Sequence, residues 1–263
     1  MNIKLGFVIN RVFLIMAFIV IETYGVDDEN LLEKSLVKAY PLFLDSITDN
    51  VLIWKDKAKM VFDDGIQDKN FDTLLNSPDI EDQMSIRYPS GKNYQKQPSK
   101  NYDPGRIRYE PFFRKMYGNT EKEVYSKLVA VHWMPNTVDK ILMVSSVNGI
   151  NEKLKAISDE LDKLPTNLKK YVVKTAGTFN WRKISGTNRL STHSFGIAID
   201  INIKYANYWK WDKPRADGKL VYKNQIPMEI VNIFEKHGFI WGGKWYHYDT
   251  MHFEYRPELL MHK

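Results

Sequence analysis

Apolar residues recur at helical spacing in three stretches of this chain. Leu31, Leu32, Leu36 and Ala39 mark a helix over Asn30–Ala39 that Pro41 stops. Ile150, Leu154, Ile157, Leu161 and Leu164 form one face of a second helix, ended by Pro165. Pro227 suits the first turn of a third, Ile230, Val231 and Phe234 supply its apolar face, and Gly238 is placed as its C-terminal cap. Between these lie short runs with strand character. Val51–Trp54 and Met60–Phe62 predict a hairpin, followed by a turn at Asp63-Asp64-Gly65. Ile141–Val147, Tyr171–Thr175, Ile197–Ile199, Phe239–Trp241 and Met251–Tyr255 predict further strands. From Ser77 to Tyr109 the chain is rich in Pro, Gly, Lys and Tyr with no strong period, which predicts a long irregular segment over the surface. Helices mixed with short strands, without regular βαβ alternation, give the fold class α+β.

The stretch LSTHSFGIAIDIN, Leu190–Asn202, concentrates the candidate chemistry. Phe195-Gly196 reads as a bend. Along the strand that follows, Ala198, Asp200 and Asn202 share one face, so Asp200 points back toward a group on the preceding turn. His193 stands on that turn, and His252 follows in YDTMHFEY. Two imidazoles and a carboxylate form a zinc set with a fourth position left for water. The competing reading of His193 and Asp200 is a buried polar pair at a strand end. In the Met251–Tyr255 strand His252 and Glu254 face the same way, so Glu254 reads as the group that orients the histidine. Asp249, on the turn leading in, is the candidate general base; its other reading is a cap for the next segment. Arg182, Ser191 and His247 are candidate substrate contacts, Arg182 through a guanidinium fork suited to a carboxylate or carbonyl, or else paired with a local acid. His237 falls in the last turn of a helix, while His132 and His262 read as non-ligands. Trp241, Trp245, Tyr246 and Tyr248 either wall a cleft or pack the core.

At 263 residues, 43% hydrophobic and 13% aromatic, the chain has ample material for a packed core, which excludes wholesale disorder. Its net charge of +6 is unevenly spread. Acidic residues dominate Asp27–Asp82, whereas Lys163–Ile199 contains Lys and Arg and no acid at all. A basic stretch leading into a metal site suits a substrate bearing carboxylates. The charge is too modest to argue for nucleic acid. Lys4 and Arg11 precede the apolar run Val12–Ile21, with Thr23 and Gly25 behind it, so residues 1–25 read as an export signal; an uncleaved anchor is the alternative. The run is short for a bilayer span, so no stable membrane insertion is expected once the signal is removed. The absence of cysteine excludes disulfides and thiolate zinc ligands, and it fits a bacterial envelope. No pattern specifies an oligomeric state.

The segments STHSFGIAID and DTMHFEY resemble the zinc-binding signatures of the M15 metallopeptidases, the group of D-alanyl-D-alanine carboxypeptidases and L-alanyl-D-glutamate endopeptidases. The two motifs occur in the right order with an Arg upstream, and the resemblance covers roughly Tyr171 to Arg256. DPGRIRYEPFFRKMYG and VHWMP also resemble leader regions of VanY-like members. The resemblance implies that His193, Asp200 and His252 bind Zn2+, that Asp249 is the base and that Arg182 contacts substrate. It further implies a small α+β fold with a central antiparallel sheet flanked by helices, and a division into an N-terminal extension over 26–135 and a catalytic domain over 136–263. The carboxypeptidase branch generally places Glu where Asp249 stands, so DxxHFE is closer to the endopeptidase branch. The implied activity is zinc-dependent hydrolysis of peptidoglycan stem peptides in the bacterial envelope, of the L-alanyl-D-glutamate endopeptidase type. The alternatives are a D-alanyl-D-alanine carboxypeptidase and a non-catalytic module that holds wall peptides.

Overall fold

The computed structural model describes residues 26–261 apart from positions 93 and 95; the expected signal over residues 1–25 and His262 lie outside the described residues. The chain opens with helix α1 (Val26–Ala39), ended ahead of Pro41. Strands β1 (Leu44–Thr48), β2 (Val51–Trp54) and β3 (Lys59–Val61) then form an antiparallel meander. Only the β2–β3 hairpin was legible in the sequence, because LDSIT in β1 carries three polar residues and a bulge in its pairing. A short helix α2 (Phe71–Asn76) follows, and the chain to Tyr109 is irregular as expected, with one turn of 3-10 helix at Asp82–Met84.

Helices α3 (Glu110–Tyr117) and α4 (Glu121–Tyr125) lead into a second antiparallel pair, β4 (Leu128–Trp133) with β5 (Lys140–Ser145). Helix α5 (Ile150–Leu161) buries Ile150, Leu154, Ile157 and Leu161 completely, the face its spacing predicts. After the single turn α6 (Thr166–Lys169) the structure departs from expectation: Tyr171–Thr175 is not a strand. Val172 is fully buried as the alternation requires, but the N–H groups of Val172 and Val173 both bond to Lys169 O at 2.9 and 3.0 Å, which closes a turn and leaves no ladder to pair.

The third sheet holds the candidate chemistry. It consists of β6 (Ala198–Asp200), β7 (Phe239–Trp241) and β8 (His252–Tyr255) in the antiparallel order β6-β8-β7, with helix α7 (Met228–Lys236) between β6 and β7 in sequence. Phe234 of α7 stacks on Phe253 of β8 at 3.9 Å between ring centroids, which seals the back of the sheet. Ile199, Trp241 and Phe253, paired across the ladder, are wholly buried on that side. One contiguous core runs from Leu36 in α1 to Leu259, and the β4–β5 hairpin crosses position 135. The fold is α+β with small antiparallel sheets. Among the described residues, no helix is long and apolar enough to cross a membrane.

Candidate metal centre

Strand register brings the first two groups together. In the β6–β8 ladder Asp200 pairs with His252 and Ala198 pairs with Glu254, so the polar face of each strand becomes one continuous strip. Asp200 Oδ1 lies 3.0 Å from His252 Nδ1. Ala198 leaves the space that Glu254 needs beside the ring.

His193 is supplied by a turn of 3-10 helix, Thr192–Phe195, capped at its start by the Ser191 side chain. Its Nδ1 donates to Thr178 O at 2.6 Å, which fixes the tautomer and aims Nε2 at Asp200. Nε2 lies 3.2 Å from Asp200 Oδ2, yet it is buried with no hydrogen-bond partner. Gly196 ends this turn at φ +66°, and a Cβ there would stand 2.6 Å from Leu128 Cδ2 and 3.2 Å from Ser145 N. Only glycine lets the turn dock against the β4–β5 hairpin, where Ser145 N–H bonds to Gly196 O.

The ligand atoms of His193, Asp200 and His252 lie within 4.8 Å of one another. Two imidazoles and one carboxylate, with the inward-facing His193 Nε2 lacking a hydrogen, suit a borderline cation such as Zn2+. Burial works against the charge on Asp200, but His193 and His252 hold its carboxyl far below the usual range. Burial likewise lowers His252, and its hydrogen bonds to Asp200 and Glu254 outweigh that and carry it up to about 10.

Glu254 is the hub behind the site. It accepts from His252 Nε2 at 2.9 Å, from Thr192 Oγ1 at 3.2 Å and from Arg108 Nη2 at 2.5 Å, and Arg256 Nη1 lies 3.3 Å away. Burial pushes its carboxyl up, yet Arg108 and His252 hold it well below the ordinary carboxylate range. It stays an anion that accepts from His252 Nε2 and leaves Nδ1 for a metal. Arg256 continues the network to Glu258, whose other oxygen accepts from Tyr40 at the end of α1.

Asp249 sits on the turn before β8, its N–H bonded to Gly242 O at 3.0 Å. The approach is so close that a Cβ on Gly242 would meet Asp249 O at 2.6 Å. Asp249 Oδ1 is buried without a partner. Burial, opposed by His252 and reinforced by Asp200, pushes the Asp249 carboxyl up to about 6. A carboxyl poised there can take and return a proton near neutral pH.

A cavity of about 140 Å3 gathers His193, Asp200, His252, Asp249, Arg182 and Ser191. His247 is not among its walls. It lines an adjoining cleft of about 920 Å3, where its ring stacks on Phe71 and its Nδ1 donates to Asp103. Of the aromatic cluster, Trp245 lines the cavity; Trp241, Tyr246 and Tyr248 are buried. His237 pairs with Glu160 and His132 with Asp139, both away from the centre. The residues not anticipated are Arg106, Arg108, Arg189 and Tyr208, which line both the cavity and the cleft. A signal for the first two was present in RIR: the alternation puts both guanidiniums on one side and buries Ile107 on the other.

Residues 185–255 match the family model described as D-alanyl-D-alanine carboxypeptidase, within the M15 peptidases, and that span holds all three ligand candidates and Asp249. None of the curated proteins compared with the chain matches it.

Proposed function

We propose that this chain, with its M15 peptidase segment over residues 185–255, is an exported zinc peptidase that cuts within peptidoglycan stem peptides, of the L-alanyl-D-glutamate endopeptidase type. The observation that carries the reading is the convergence of His193, Asp200 and His252 on one point with Asp249 beside them in the same cavity. A module that only holds wall peptides has no need of the fourth group. Bound there, zinc supplies a Lewis acid and brings the pKa of a water toward about 7. Asp249 takes the proton from the attacking water and returns it to the leaving amine. His193 and His252 hold their ligand nitrogens in place through Thr178 O and Glu254. Arg182, exposed at the cavity rim, is a fork for the substrate carbonyl or carboxylate.

The cleft supports an internal cut. At about 920 Å3 it is in the range of substrate-sized pockets, and it continues from the ligand cavity past Tyr208 and Arg106 to a wall of Phe71, Leu75 and Pro78. That leaves room for peptide beyond the scissile bond. The description of the matching family favours a second reading, removal of a terminal D-alanine. Export to a bacterial envelope rests on the signal pattern of residues 1–25.

Metal dependence is the test. Chelation should abolish peptide hydrolysis, and stoichiometric Zn2+ should restore it and raise Tm, since a ligand at a thousandfold its Kd adds about 4 kcal/mol to stability. His193→Ala and His252→Ala should each lose the ion. Hydrolysis that persists in chelator would overturn the proposal.

A further inference from the structure

The junction between the ligand cavity and the cleft carries more cationic charge than its acids balance. Arg106, Arg108 and Arg189 all line both spaces. Arg108 is committed to Glu254. Arg106 is loosely held: its Nε lies 3.7 Å from Asp103 Oδ2, and that carboxylate already accepts from the backbone N–H and ring of His247. Its guanidinium rests over Trp245, 5.4 Å from the ring centroid.

Arg189 is the outlier. It pairs with no carboxylate among the described residues, and its Nε is buried without a hydrogen bond. Its acidic neighbours are engaged elsewhere, Glu110 by Arg114 and the N–H of Leu190, and Asp72 by Asn76. Burial, together with Arg108 and Arg106, pulls it down to about 10. A buried donor left unsatisfied costs about 1–3 kcal/mol, and a planar guanidinium is relieved best by a planar anion that takes two of its N–H groups at once. The loop holds it in position: Ile184 N–H bonds to Arg189 O, Ser191 N–H to Arg182 O, and Leu190 is tied to Glu110. The guanidinium is therefore presented from a braced hairpin, four residues ahead of His193.

We propose that Arg189, assisted by Arg106, forms a carboxylate-binding subsite that takes an anionic group of the peptide within one or two residues of the bond cut at the metal centre. The inference rests on the peptidase reading and adds a specificity determinant to it. An acidic side chain and a free C-terminus offer the same carboxylate, and the test separates them.

Full-chain, zinc-loaded protein is given one cleavable peptide in three forms: with a free acidic side chain and C-terminus, with the side chain as carboxamide, and with the C-terminus as amide. Wild type should prefer the free form over one of the amides by about 10- to 100-fold in kcat/KM, carried by KM, the loss expected when hydrogen bonds to a charged group give way to bonds to a neutral one. The penalised amide identifies the source of the carboxylate. Arg189→Gln should bring that ratio close to one, and Arg189→Lys, which keeps the charge but not the fork, should recover part of it. A ratio near one in wild type, or one that survives Arg189→Gln, overturns the subsite and leaves the peptidase reading intact. If no peptide is cut, calorimetric binding of the same three peptides becomes the readout. A preference lost in Arg189→Gln then supports the subsite while the peptidase reading falls; equal binding of all three overturns it.

Discussion

Asp249 Oδ1 and His193 Nε2 are both buried, both without a hydrogen-bond partner and both in one cavity. Native proteins rarely leave such atoms unmatched unless a ligand or a reaction uses them. Asp249→Asn keeps the shape and removes the base, so kcat should fall by roughly 10²–10⁴-fold with zinc content unchanged; an equally active variant would discard the assignment. Glu254→Gln should act through His252. It weakens the acceptor that orients the ring, and zinc affinity, read by competition with a chromophoric chelator, should drop about 10- to 100-fold. Away from the centre, Lys69 Nζ sits among Asp64, Asp79 and Asp82 at 2.8, 3.0 and 2.6 Å and so occupies the middle of the acidic group itself. Glu81, next to that group, is pushed up to about 7 by burial and by the charges of Asp79, Asp82 and Asp63, against Lys69. A carboxyl raised in the fold makes stability fall as pH rises from its ordinary 4.5 toward 7. Glu81→Gln should therefore raise Tm at pH 8 and leave it nearly unchanged at pH 4; equal shifts at both would contradict the assignment.

Two elements make the centre, a strand ladder and a glycine-ended turn. The ladder sets Asp200 against His252, and the turn swings His193 in from the other side. Gly196→Ala attacks the second. It forces a side chain into a left-handed conformation, which costs about 1–2 kcal/mol, and against Leu128 and the Ser145 backbone, which costs about 1–3 more. Both Tm and zinc affinity should fall, and a variant that melts and binds like wild type would remove the turn from the account. These local features were readable in the sequence. Alternation placed Asp200 on one face of β6 and His252 with Glu254 on one face of β8, and Phe195-Gly196 marked the bend. What periodicity cannot carry is pairing across distance. Nothing in RIRYEP says that Arg108 reaches Glu254, 146 residues on, and a polar strand such as β1 is set by its neighbour β2 rather than by its own pattern. At Tyr171–Thr175 the alternation was real and the backbone still turned, because Lys169 O captured two N–H groups.

Across the whole molecule, the segment before residue 136 is tied into the candidate centre from behind. Tyr40, Glu258, Arg256, Glu254 and Arg108 form a buried chain of polar contacts from the end of α1 to His252, and the core is continuous on both sides of it. Removing one partner from such a network leaves uncompensated charge, typically costing 3–5 kcal/mol. A fragment of residues 136–263 deprives Glu254 of Arg108 and Glu258 of Tyr40, so it should lack a cooperative thermal transition and bind zinc weakly; a stable, zinc-binding fragment would show the two parts to be separable. Mass spectrometry of stem peptides after incubation with the intact, zinc-loaded chain reads the proposed chemistry at the bond itself. The expected product is a cut between L-alanine and D-glutamate that vanishes in Asp249→Asn. Loss of a terminal D-alanine alone would contradict the internal cut, and intact peptides beside a fully zinc-bound protein would contradict the peptidase itself.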